Sequence, residues 1–254
     1  MAGTIQSIER AAAILRLLSG RNRRLGVVQL AGELDLPKTT VHGILRTLAS
    51  VGFVEQDPDS GKYQLGAALL HMGSSYLDGN ELRTRALNWS DSLAARSGES
   101  VRIGTLHESQ VLVVHHVFRP DDSRQALEVG TLQPAHATAM GKVLLSAHRY
   151  AATEIAAAGL PQFTPATITD REVLMAELDE VLERGWAAEA EELVAGEVSL
   201  AAPIHDRRGV TVGAIGISGP IERLSDKGTP RIELVAFVRE AARSVSRDLG
   251  AIPW

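Results

Sequence analysis

The segment from Leu30 to Ser50, LAGELDLPKTTVHGILRTLAS, constrains the fold more than any other, because it reads as two short helices joined by a tight turn, the second shaped for presentation. From Lys38 onward Val41, Ile44, Leu45 and Leu48 recur at i, i+3, i+4 and i+7, which turns one face inward and leaves Lys38, Thr39, His42, Gly43 and Arg46 on the other. That outer face is small, polar and basic. Pro37 suits the first helical position, where its missing amide hydrogen costs nothing, and the first-turn amides then point toward an approaching anion. Such a helix fits a DNA major groove. The same periodicity fits an amphipathic helical hairpin in any small domain, so the flanking chain has to decide.

Upstream, Ser7 is a suitable N-cap for a helix carrying Ile8, Ala11, Ile14, Leu15 and Leu18 on one side and ended by Gly20. The loop RNRRLG gathers Arg21, Arg23 and Arg24, which either reach phosphates or form an ordinary solvated loop. A short helix over Val28 to Leu34 follows. Downstream, Gly52 breaks the pattern, and FVEQ, DPDSG and KYQL read as strand, turn, strand, with Phe53, Val54, Tyr63 and Leu65 packing and Lys62 near the tip. Three helices followed by a hairpin predict a winged helix-turn-helix over residues 1–68.

Charge agrees with that division. The chain of 254 residues carries a net charge of -5, but residues 1–70 hold eight Lys or Arg against six Asp or Glu, and the excess of acid lies in the rest. A basic head on an acidic body is the distribution a DNA reader requires. With no cysteine there is no disulfide framework, thiolate zinc site or cysteine nucleophile. No membrane span or signal peptide is read, so the expected location is cytoplasmic.

Residues 69–98 read as linker helices. Asp78 with Glu81 forms a capping box, Leu82, Ala86, Trp89 and Leu93 make one stripe, and Gly98 stops it. Residues 99–254 then alternate as VRIGTL, VLVVHHVF and QALEVG, three strands of an antiparallel sheet. Helices follow in TAMGKVLLSAH, in ATEIAAAG, and after Thr169, whose partner in a second capping box is Glu172. Two strands turn at DRRG, and a last helix from about Pro230 carries Val235, Val238, Ala242, Val245 and Leu249. The expected fold class is α+β, with an antiparallel sheet flanked by helices in the larger domain.

Enzyme motifs fail on inspection. HATAMGKV ends in Gly-Lys, but a phosphate-binding loop needs Gly at His136 and Ser or Thr at Val143. GISGP lacks the last glycine of a nucleophile elbow around Ser218. Neighbouring His115 and His116 point to opposite faces of a strand and cannot share a metal, which leaves His107, His116 and His136 as the one combination to test. No cofactor, catalytic residue or metal site is called for.

Five landmarks in order, SIERAAAILRLL, LPKTTVHGILRTL, the GKYQLG wing strand, HATAMGKVLL and APIHDRRGVTVGAIGISGP, resemble the IclR family of bacterial transcriptional regulators. VLVVHHVFRPDDSRQ and AARSVSRDLGA are most similar to the glycerol operon regulators of actinomycetes within it. The resemblance implies a GAF-like effector-binding C-terminal domain, homodimers or dimers of dimers, and operator control by a small organic effector, glycerol 3-phosphate or a related organic acid or polyol derivative. By position it implies effector contacts at Thr138, Ala139, Met140, Glu192, Ser199, Gly216 and Ser218. Met140 narrows such a pocket, and Glu192 repels an anion unless a cation offsets it. Arg102, Arg119 and Arg124 are unranked candidates for that cation. For the head, Thr39, His42 and Arg46 are expected at base edges of double-stranded operator DNA and Lys38, Thr40 and Lys62 at phosphates. The competing expectation is a GAF-like small-molecule sensor or enzyme whose winged helix makes protein contacts.

Overall fold

A computed structural model describes residues 4–20, 24–121 and 123–252. It divides into two compact units, Met1–Gly79 and Asn80–Trp254. The boundary falls inside the span read as linker, so its two helices belong to different units.

The first unit runs α1 (Gln6–Leu18), α2 (Val27–Leu34), α3 (Lys38–Ser50), β1 (Val54–Gln56), β2 (Tyr63–Leu65) and α4 (Ala67–Asp78). Ile14, Leu18, Leu30, Val41, Leu45 and Tyr63 close its core, as the i, i+3, i+4 spacing requires. Ser7 lies inside α1, which starts at Gln6 without a side-chain cap. Pro37 stands one position before α3, at its N-cap with φ -57° and ψ 136°, because its carbonyl already accepts the Thr40 and Val41 amides at 2.9 and 3.1 Å. Leu25 pairs with Tyr63 and fixes the hairpin against the head. Arg24 is taken up there too, donating to Asp57 Oδ2 at 2.6 Å and Gln64 Oε1 at 2.9 Å, while Arg21 and Arg23 lie outside the described residues.

The second unit begins with α5 (Glu81–Ser97), followed by β3 (Ser100–His107), β4 (Gln110–Val117), β5 (Leu132–Pro134), a single 3-10 turn, α6 (Ala139–Ala147), α7 (Arg149–Ala158) and α8 (Arg171–Arg184). It continues through β6 (Ala187–Ala190), β7 (Glu197–His205), β8 (Thr211–Pro220), α9 (Ile221–Leu224), the short pair β9 (Ser225–Asp226) and β10 (Thr229–Pro230), and α10 (Ile232–Asp248). Six strands make one antiparallel sheet in the order β5-β4-β3-β8-β7-β6. Strand alternation sends Ala201 and Ala214 into a core with α6, α7 and α8, whereas a side chain at Gly213 would strike Leu82 of α5 from the opposite face. Helices α5 and α10 pack together, with Trp89 donating to Asp248 at 2.7 Å.

Local chemistry moves several expected boundaries. Asn80, not Asp78, caps α5, its Oδ1 accepting the Arg83 amide at 2.9 Å. Asp170, not Thr169, caps α8 through the Glu172 and Val173 amides. QALEVG is not a strand. Gln125 bonds both backbone groups of Arg119, which shapes a loop, and the β4 edge pairs with Leu132–Pro134 instead.

Candidate functional site

The outer face of α3 is assembled from a single helix. Lys38, Thr39, His42 and Arg46 are exposed, Thr40 is half-buried, and Lys62 is exposed next to the turn between β1 and β2. Among the described residues, the Lys38, Thr39, His42, Arg46 and Lys62 side chains make no hydrogen bond or ion pair within the protein, so their donors are available to an outside partner. Gly43 sits among them with open space where a side chain would project. The core side of the helix keeps this face rigid through Val41, Leu45 and Leu48. The wing turn is stiffened by Asp57, whose Oδ1 accepts the Asp59 and Ser60 amides, each at 3.0 Å. These bonds hold its carboxyl below the usual range, with Arg24 adding to the effect.

In the second unit, sheet register gathers residues that lie far apart in sequence. One cross-strand row runs Glu189, Ser199, Ser218, Ser100, and the next runs Ala187, Ala201, Gly216, Arg102, His116. Both rows lie on the face covered by α6, whose N-terminus meets them. The result is a cavity of about 230 Å³ lined by Thr138, Ala139, Met140, Ser199, Gly216 and Ser218. Gly216 is required here, since a Cβ would strike the Leu200 carbonyl and crowd Met140.

First-turn amides of α6 meet hydroxyls: Thr138 Oγ1 accepts from Gly141 at 3.2 Å, and Ser199 Oγ accepts from Ala139 at 3.3 Å. Ser199 in turn donates to Glu189 Oε2 at 2.6 Å. Burial raises the Glu189 carboxyl above the usual range, although Ser199 and the Glu192 and Leu193 amides donate to it.

Of the three candidate arginines, Arg102 lines this cavity. Its Nε and Nη2 meet both carboxylate oxygens of Glu128 at 2.8 and 2.6 Å, and Nη1 donates to Ser218. Gln133 supports Glu128 from the other side at 2.9 Å. Arg119 belongs to a separate cluster with Glu99 and Asp121, and Arg124 is exposed.

Glu192 is not in the cavity lining. It is buried in an ion pair with Lys142 of α6, itself 2% exposed, so the offsetting cation is supplied from inside the fold. Burial raises the Glu192 carboxyl, with Lys142 opposing. Glu189, two strand residues from the helix-facing Ala187, lines the cavity instead, together with Glu128 and Glu197. Neither Lys142 nor Glu128 stood out in the sequence. The first is the Lys of an apparent phosphate-loop ending, the second falls in a segment read as a strand.

The histidines are engaged separately. His116 Nδ1 accepts the Glu128 amide at 3.2 Å, so the neutral ring carries its proton on Nε2, which faces Ser100 Oγ at 2.8 Å. Burial, with Arg102 adding to it, lowers its pKa to about 4. His107 is exposed, and His136 Nε2 donates to the Pro161 carbonyl at 3.0 Å. Among the described residues no group of metal-ligating side chains is assembled, and no helix is long and apolar enough to cross a membrane.

Comparison with known proteins agrees with both units. Residues 7–58 match the IclR helix-turn-helix domain, and residues 74–247 match the C-terminal domain of bacterial IclR transcriptional regulators. The chain is 57% identical over 251 residues to the glycerol operon regulatory protein of Streptomyces coelicolor and 55% identical to that of Streptomyces griseus, covering 99% of each pair of chains. An IclR transcriptional regulator from Alicyclobacillus acidocaldarius superposes with a TM-score of 0.81 at 28% identity, over 98% of this chain and 99% of that one.

Proposed function

Because the chain belongs to the IclR family of bacterial DNA-binding transcriptional regulators, not to a family of enzymes, we propose that it represses a glycerol-type catabolic operon and that a small polyol phosphate is its effector. Thr39, His42 and Arg46 read base edges in the major groove, while Lys38, Thr40 and Lys62 hold phosphates. Their lack of internal partners supports these roles. Helix α4 has no buried residue and leaves Leu70 75% and Tyr76 56% exposed, which supports pairing of two chains and hence of two heads on a two-fold operator. A dimer of dimers extends the same pairing.

The observation that carries the effector reading is the Arg102–Glu128 pair on the cavity wall. Glu128 occupies a bidentate anion site on Arg102, and an effector phosphate takes its place there. Thr138, Ser199 and Ser218 bond the polyol hydroxyls, the positive end of the α6 dipole favours negative charge, and Ala139, Met140 and Gly216 shape the floor. Displaced from Arg102, Glu128 releases its loop, and the change in operator affinity follows as a coupling energy of about 1 to 3 kcal/mol.

Calorimetric titration of the full chain with glycerol 3-phosphate and with glycerol tests this. Saturable binding of glycerol 3-phosphate is expected, abolished in Arg102→Gln and tightened in Glu128→Gln, which removes the internal competitor. Equal affinity in parent and Arg102→Gln, or preference for glycerol, overturns the phosphate assignment. Gel-shift titration with and without the effector then reads the coupling.

A further inference from the structure

A second cavity, about 620 Å³ and larger than the first, shares no lining residue with it. It opens at the other end of α6. Its inner wall is apolar, made by Val143, Val181, Trp186 and Pro203. Its outer wall is the stripe of α10 that carries Arg239, Arg243 and Arg247.

Three arginines spaced four apart stand one above another on a helix, an arrangement of like charges that is destabilising unless something offsets it. In the fold that offset reaches only Arg247, through Glu240. Among the described residues Arg239 and Arg243 make no ion pair or hydrogen bond, and Arg247 donates to the neutral Ser244 Oγ at 3.0 Å and is attracted to Glu240 without pairing with it. The one acid in the lining, Glu240, is engaged by Arg96 at 2.9 Å, whose guanidinium is itself stacked 4.2 Å over Phe237. A second nearby acid, Asp248, accepts the Trp89 indole hydrogen. The cavity therefore presents uncompensated positive charge beside apolar surface.

From this we infer a second ligand site, distinct from the polyol cavity, that takes an organic anion with an apolar body. The carboxylate or phosphate group is held by Arg239 and Arg243, and the chain or ring lies against Val143, Val181 and Pro203. Helix α6 contributes its N-terminus to the first cavity and its C-terminal half to the second, and β7 likewise contributes to both. An occupant of the second site thus touches the two elements that shape the first.

Decanoate is a probe of this class. Calorimetry of the full chain with decanoate should give saturable heat, with affinity about tenfold or more weaker in Arg239→Gln/Arg243→Gln, the loss expected from removing charge-assisted bonds. The double variant relieves like-charge repulsion and so keeps the fold, which its unfolding midpoint verifies. Arg102→Gln should bind decanoate as the parent does, and uncharged decanamide should bind about tenfold less tightly. Absence of saturable heat, equal decanoate affinity in the double variant, or equal affinity for decanamide overturns the site. A double variant whose oligomeric state changes in sedimentation, with no decanoate bound by the parent, assigns the stripe to contact between copies of this chain and also overturns it.

Discussion

The outer face of α3 and the cavity under α6 do their work with opposite designs. On α3 the functional donors are exposed, unpaired and drawn from one helix. In the cavity Arg102, Glu128 and Glu189 already have partners, and these come from β3, β5, β7, β8 and the loop before β5. An interface that meets a highly charged duplex can leave its cations in water at little cost, because exposed charges are solvated. A buried site cannot, because an unpaired charge there costs several kcal/mol, so its ligand has to compete with an internal partner.

The largest test of that contrast is Lys142→Ala. It strands Glu192 without its cation and is expected to cost about 3 to 5 kcal/mol in urea unfolding followed in the second unit. Lys142→Met with Glu192→Leu should restore most of it. A cost near zero for the single change would mean that the pair is wet and the two regions differ less than described.

Next is pH. The His116 ring titrates at about 4 in the fold against 6.5 for the ordinary group, so as pH falls the unfolded chain takes up a proton that the folded one refuses. Stability is complete above the unfolded value and is lost as pH drops toward the folded one. Between pH 7 and pH 5 the parent should lose about 2 kcal/mol more than His116→Asn, a difference in which the other titrating groups cancel. Parallel stability curves for the two proteins would break the assignment of a neutral, buried ring.

The smallest effect on folding belongs to the exposed face. Arg46→Ala should leave the unfolding midpoint unchanged, yet weaken operator binding by about 1 to 3 kcal/mol with loss of base preference, as read by anisotropy against competitor duplex. Lys62→Ala should instead weaken all duplexes alike and lower the salt slope by about one. Equal operator affinity in parent and Arg46→Ala would sink the reading role of that residue.

These differences explain how far the sequence could be read. The winged head, the α3 face and its split into inner and outer residues follow from i, i+3, i+4 spacing and turn residues, which are local quantities; Val41, Leu45 and Leu48 are buried where the periodicity puts them. Caps were harder, because Asn80 and Asp170 outcompete Asp78 and Thr169 by one or two positions, a choice made by backbone geometry. Six of the seven positions that family likeness implies for an effector line one cavity, and spacing alone does not single them out. Glu192 lies outside that lining because two glutamates three residues apart are equivalent in sequence, and only Glu189 faces Ser199 once β6 pairs with β7. Likewise Arg102, Arg119 and Arg124 are three similar loop or strand arginines until the β3–β8 register sets Arg102 opposite Gly216, under α6. Local periodicity, composition and charge thus determined the winged head and the polar outer face of α3. Strand register and burial, which depend on residues from ten to more than a hundred positions apart, decided which charges meet in the cavity under α6 and which are buried out of its reach.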